Sequence, residues 1–161
     1  MKRVFLLLVT FFVLLSCFAQ EIRSVKITEV EKIIAESKTP LIINMWATWC
    51  IPCVQELPYF QEEVNKYKKD SVQLLLVSLD FKETFPKGIT KFMSKRKITA
   101  PVVWLDETNA DYFCPKIDAK WSGAIPATLF INNKTGYRNF IEEQISREKL
   151  KQEIMAILQK R

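Results

Sequence analysis

The chain has no histidine in its 161 residues. That absence leaves zinc and copper sites without their imidazole ligands, so a metal centre would have to be built from thiols and carboxylates alone. Glycine is nearly as rare, with three copies, which excludes Gly-rich flexible or repeat-built chains. Internal repeats and low-complexity tracts are missing too, as are nicotinamide and flavin motifs. The one long apolar run near the start, Val4 to Leu15, has twelve residues. A bilayer-spanning helix needs about 20.

What remains is ordinary globular usage, 48% apolar and 26% charged, in a length that suits one domain with a real core. The net charge is +6, of which Lys2 and Arg3 supply two, leaving +4 on the rest. Lysines and arginines are scattered among acidic residues and no aromatic-basic motif accompanies them. This is a solvated basic surface rather than a nucleic-acid face.

The start, MKRVFLLLVTFFVLLSCFAQ, has the layout of a secretory signal: a charged Lys2–Arg3 region, then the apolar run. Residues 1–19 are therefore expected to be a signal peptide and 20–161 a single domain. Two ends of the signal stay open. "LLSC" resembles a bacterial lipobox, which would lipidate Cys17 and anchor the chain to a membrane. "CFA" resembles a small-x-small site, with cleavage after Ala19 and a soluble product. Either end implies export, to the periplasm or its equivalent. There disulfides persist, so cysteines are read first as bridges. Beyond Cys17 stand Cys50, Cys53 and Cys114, an odd number that cannot form a complete framework.

Along the chain, polar EIRS leads into a short helix with Ile27, Val30, Ile33 and Ile34 at helical spacing, ending before Pro40. Leu41–Met45 and Ser71–Leu79 are apolar runs of strand length. Between them, residues 51–68 form a helix that Pro58 should kink. A helix over 85–97, with Pro86 near its start, precedes a strand over Pro101–Leu105. TNADYFCPKI, carrying Cys114, is a short helix or loop. Ala127–Ile131, the turn NNKTG and YRNFIEE make a hairpin. From Ser146 an amphipathic helix sets Leu150, Ile154, Ile157 and Leu158 on one face. Strand–helix alternation gives parallel pairs, and the hairpin adds an antiparallel edge. The expected class is α/β, a three-layer α/β/α sandwich around a central mixed β-sheet.

The pair in WCIPC has three readings. A zinc half-site lacks ligands, since only Cys114 is left to add. A structural staple between positions i and i+3 closes a tiny loop and constrains the unfolded chain little. A redox couple fits the setting, because an apolar strand runs into the pair and a helix starts at it. Backbone N–H groups and the positive dipole end there favour a thiolate. Pro52 in the first turn gives up an N–H that would be orphaned anyway. Cys50 is then the exposed attacker, and Cys53, one turn in, the shielded resolver.

WCIPC after an apolar strand, with AIPATLF some 70 residues on, resembles thioredoxin. The longer NMWATWCIPCVQELP, followed by LLLVSLD, is similar to TlpA/ResA-like exported thiol-disulfide oxidoreductases. The resemblance runs from about Lys38 to the C-terminus. It implies the thioredoxin fold, a Cys50–Cys53 redox disulfide and reduction of disulfides in client proteins. Glu56 matches the carboxylate of C-x-x-C-x-x-E-x-P, and Pro126 the proline that is cis in this fold. A cis bond there leaves the Ile125 backbone free to pair with substrate. Trp49 and Pro52 complete the expected contact surface, and Trp46 is a core aromatic. Asn44 stands where thioredoxin has a buried Asp, which passes the proton-handling role to Glu56.

No cofactor or metal is expected, and electrons would come from a membrane reductase. A thioredoxin-fold thiol peroxidase and a non-enzymatic peptide-binding module are the alternatives. Cys114 reads as a small buried hydrophobe, with a regulatory or intermolecular disulfide as the alternative, and Asp80 as a helix cap or rim residue without an assigned role.

Overall fold

The structure is a computed structural model, and residues 21–159 are described. The expected signal segment, its cleavage sites and Cys17 lie outside them.

Six strands form one sheet in the order β1-β4-β3-β2-β5-β6. They are β1 (Arg23–Val25), β2 (Leu41–Trp46), β3 (Gln73–Ser78), β4 (Val102–Leu105), β5 (Ala127–Asn132) and β6 (Tyr137–Ile141). β1 to β4 are mutually parallel, while β5 runs antiparallel to both β2 and β6. Helices α1 (Ile27–Glu36), α2 (Ile51–Lys66), α3 (Lys87–Arg96), α4 (Ala110–Ile117) and α5 (Arg147–Leu158) cover it. Among the described residues, no helix is long and apolar enough to cross a membrane.

The layers follow from the two-residue period of the central strands. From β2, Leu41, Ile43 and Met45 join a core under α1 and α4, with Ile27, Val30, Phe113 and Ile117. Ile42 and Trp46 face the other way, onto Leu57 and Phe60 of α2, Ile89 of α3 and Leu150 and Ile154 of α5. Every residue of β2 is buried, as a strand covered by helices on both faces should be. The three-layer sandwich and the mixed sheet are as expected.

Two local features differ from the expectations. Glu21–Ser24 is not merely a polar lead-in, because Arg23–Val25 pairs with Val103–Leu105 as the edge strand β1. Three residues with only Val25 buried carry no periodic signal, and the pairing with a distant strand decides them. The expected helix after the cysteine pair is α2, with Pro58 inside it, and the segment left between helix and loop is the helix α4, with Pro115 inside it. β3 starts at Gln73, after a short 3-10 turn over Lys68–Asp70 and Ser71 at φ 60°.

α2 carries the cysteine pair, so its seating on the sheet sets the site. Phe60, with no exposed surface, is the largest side chain that α2 places in this core. Phe60→Ala should lower unfolding stability by about 3–5 kcal/mol in urea titration. A loss below about 1 kcal/mol would mean that α2 is held by something else.

Candidate redox site at the start of α2

β2 ends at Trp46, and the chain reaches α2 through Ala47, Thr48 and Trp49. Cys50 is the N-cap of α2 and accepts a hydrogen bond from Cys53 N–H at 3.3 Å. Its sulfur is bonded to that of Cys53, with the Cα atoms 5.3 Å apart. Pro52 occupies the first turn, as expected. Cys53 is fully buried, but Cys50 keeps only 5% of its surface, so the expected broad exposure of the attacker is corrected. As N-cap it is turned inward, with its sulfur 3.7 Å from the Ile125 carbonyl oxygen. The open surface belongs to its neighbours, Trp49 at 53% and Ile51 at 72%. The Ile125–Pro126 peptide is cis, as the resemblance implied. Trp46 is buried, and so are Trp104 and Trp121.

Two carboxylates hold the loops that form this site. Asp80, just past β3, accepts from Thr48 N–H at 3.1 Å on both oxygens, from the Thr48 hydroxyl, and from Ser78 Oγ at 2.8 Å. Trp104 Nε1 donates to the Asp80 carbonyl at 2.7 Å. Asp80 thus fixes the turn leading into Cys50. Glu142, just past β6, does the same for the loop before Pro126. It accepts from Ser122 N–H and Oγ and from Ala124 N–H. Burial pushes its carboxyl upward, but these hydrogen bonds outweigh it and hold the group below the usual carboxylate range. Sequence reasoning left Asp80 without a role and missed Glu142. An Asp directly after the strand LLLVSL was the available signal for the first, and nothing local marks the second.

Glu56 lies one turn after Cys53, and it is fully buried rather than partly shielded. Asn44 Nδ2 donates to its Oε1 at 2.7 Å, and Ile145 N–H donates to its Oε2 at 3.1 Å. The Tyr59 hydroxyl donates to the Ile145 carbonyl, so α2 grips both polar groups of that peptide residue. Asn44 also donates to Thr128 Oγ1 at 3.0 Å, its antiparallel partner in β5. Asn44 Oδ1 is buried and has no hydrogen-bond partner. Burial pushes the Glu56 carboxyl up to about 7, and the Ile145 and Asn44 donors counteract it only in part. From the sequence, Asn44 and Glu56 stand side by side only as alternatives for one role, whereas the structure joins them by a buried hydrogen bond.

Cys114 is buried in the opposite core, beneath α1 and α4, and is the free cysteine of the described residues. Burial pushes its thiol up to about 11, so it is held as a neutral thiol. This matches its reading as a small hydrophobe.

A mixed sheet with this strand order, a C-x-x-C disulfide at a helix start and a cis-proline beside it define a thioredoxin-fold protein with a dithiol/disulfide site. The chain belongs to the AhpC/TSA family, whose model matches residues 15–136. It is 29% identical over 118 residues to thiol-disulfide oxidoreductase ResA of Geobacillus thermodenitrificans, covering 73% of this chain and 62% of that one. It is 31% identical over 121 residues to ResA of Bacillus cereus, covering 74% and 62%. Across the first of these curated relatives, the match spans 53% to 62% of their length. Among solved structures, StoA from Bacillus subtilis superposes with a TM-score of 0.58 at 27% identity, covering 75% of this chain and 86% of that one.

The Glu56 environment makes stability depend on pH. The unfolded carboxyl ionises near 4.5, whereas the folded one stays protonated until about 7. Between these values the unfolded state binds fewer protons, so stability falls as pH rises. The shift from 4.5 to about 7 corresponds to a loss of about 3 kcal/mol, complete above the folded value. Denaturation of the oxidised protein at a series of pH values should show this slope, and Glu56→Gln should remove most of it. Parallel slopes in the two proteins would mean that Glu56 ionises freely in the fold.

Proposed function

We propose that the protein is an extracytoplasmic thiol-disulfide oxidoreductase that reduces disulfides in client proteins. The observation that carries this reading is the Cys50–Cys53 disulfide at the α2 N-terminus, with the Ile125 carbonyl 3.7 Å from Cys50 Sγ. Cys50 and Cys53, not Cys114, are placed where backbone N–H groups can support a thiolate.

In the reduced protein the Cys50 thiolate attacks one sulfur of a client disulfide and expels the other as a thiolate. The resulting mixed disulfide is opened by Cys53, whose sulfur attacks that of Cys50. The client leaves as a dithiol, and the two electrons it gained leave Cys50 and Cys53 as a disulfide. Cys53 must lose its proton before it attacks, and it has no access to bulk water. Glu56, one turn along and near 7, is the general base for that proton. Asn44 suits both charge states of Glu56. Its Nδ2 donates to the carboxylate, and its partnerless Oδ1 can accept from the carboxylic acid when the amide turns over. Trp49, Pro52 and the Ile125–Pro126 backbone form the contact surface for the client.

The two-electron cycle needs a donor, and a membrane dithiol reductase is the chemical class that fits an exported protein. Export to the periplasm or an equivalent space, by the N-terminal signal, is part of this proposal. So is the choice at Cys17 between a lipid anchor and a soluble chain. Intact Cys50, Cys53 and Pro126 argue against a peptide-binding module without redox activity.

Insulin reduction driven by a chemical dithiol tests the reading. Wild type should accelerate it, Cys50→Ser should abolish the acceleration, and Cys53→Ser should accumulate mixed disulfides through Cys50. Glu56→Gln should slow release of the mixed disulfide by roughly 10²-fold with the fold intact. Activity retained in Cys50→Ser would overturn the assignment.

A further inference from the structure

Positive charge is concentrated rather than scattered, which corrects the reading of an evenly solvated basic surface. Residues 82–97 carry Lys82, Lys87, Lys91, Lys95, Arg96 and Lys97 against Glu83 alone, so +5 of the chain's +6 sits in sixteen residues. All six cations are exposed. Among the described residues, none of them forms a salt bridge, whereas Arg23, Lys26, Lys116 and Arg147 elsewhere all do. Arg96 lies instead over the Phe92 ring, 5.6 Å from its centre.

This charge adjoins the redox site. A groove of about 350 Å³ runs between the start of α2 and α3, lined by Thr48, Ile51, Val54, Gln55, Phe92 and Arg96. Thr48 and Ile51 bracket Cys50 in the chain. Trp49, between them, stacks on Phe81 with ring centres 5.8 Å apart, and Phe81 is itself 66% exposed. The surface round the disulfide is thus apolar and aromatic, with Arg96 on the α3 wall of the groove. The Asp80 carboxylate is bound to Thr48 and Ser78 and, among the described residues, forms no salt bridge with these cations.

We propose that this groove docks an acidic stretch of the client polypeptide, placed next to the disulfide to be reduced. An apolar client side chain lies against Ile51 and Phe92. Flanking carboxylates meet Arg96, and Lys95 and Lys91 on the same helix. Unpaired exposed cations supply long-range attraction, which raises the encounter rate more than the final affinity. The aromatic pair gives a contact of defined shape beside the attacking sulfur. The proposal rests on the disulfide-exchange reading and names its substrate class.

The test uses peptides that share a Cys–Cys disulfide and an apolar residue but carry flanking glutamates or flanking lysines. Single-turnover reduction by the reduced protein is compared with that of neutral 2-hydroxyethyl disulfide. The glutamate peptide should react about tenfold or more faster than the lysine peptide at low salt, and the gap should close as salt is added. The triple variant K91E/K95E/R96E should lose the preference and leave the neutral disulfide unaffected. Equal rates for the two peptides, with normal reaction of the neutral disulfide, would overturn the proposal. Docking is also read without chemistry, by anisotropy of labelled Cys-to-Ser peptides on the oxidised protein. If no disulfide reacts, the redox reading fails, while the anisotropy still decides between acidic and basic peptides. Binding to vesicles rich in phosphatidylglycerol that the triple variant abolishes, without discrimination between the peptides, would assign the patch to a lipid surface and overturn the proposal.

Discussion

Glu56 has no surface open to water and still has to be a carboxyl group. Everything around the disulfide is arranged for that one costly burial. Asn44 reaches it from the central strand, and Ile145 reaches it from the approach to α5. The contact therefore ties sheet, α2 and α5 together directly beneath the cysteines. Two donors fall short of the hydration a carboxylate would have in water, so the proton is held up to about 7. The burial that comes with tying three elements together is also what raises the carboxyl, and the proposed proton transfer at Cys53 draws on that same shortfall.

The rim is built differently. Asp80 and Glu142 are gripped where backbone N–H groups and hydroxyls converge on them. They set two loops, one leading into Cys50 and one leading into cis-Pro126, at the distance where Cys50 Sγ meets the Ile125 carbonyl. Neither carboxylate touches a sulfur in this arrangement, and they act as positioning groups. Of the three acids round the disulfide, two hold loops with several donors each, and Glu56 is buried with only two.

The protein is also asymmetric in its use of cysteine. Cys50 and Cys53 sit at a helix start, whereas Cys114 lies in the core under α1 and α4, where desolvation holds it protonated. The same side chain forms a disulfide at a helix start and fills a core elsewhere. Beside the disulfide lies the most basic segment of the chain, next to exposed Trp49, Ile51 and Phe81. In the proposed reading, attraction of a client and attack on it fall to neighbouring surfaces.

Much of this was legible from residues in order. Apolar runs of strand length, helical spacing and the NNKTG turn are local signals, and they placed five of the six strands and four of the five helices, with α4 left between helix and loop. WCIPC at a helix start marked the cysteine pair, because helix-start chemistry is set within a few residues, and Pro126 followed from the family resemblance that WCIPC and AIPATLF carry. The edge strand β1 was not legible, since three mostly exposed residues become a strand only by pairing with β4. Nor was the depth of Glu56: its place on α2 follows from spacing, but its isolation from water depends on α5 and Ile145, some 90 residues away. Glu142 and the groove between α2 and α3 are likewise products of chain segments meeting. By itself the sequence determined the elements, the C-x-x-C pair and the basic run, because these depend on neighbours along the chain. The tertiary structure alone decided which carboxyl group is shut off from water and what the cations lie beside, because desolvation and electrostatic fields depend on neighbours in space.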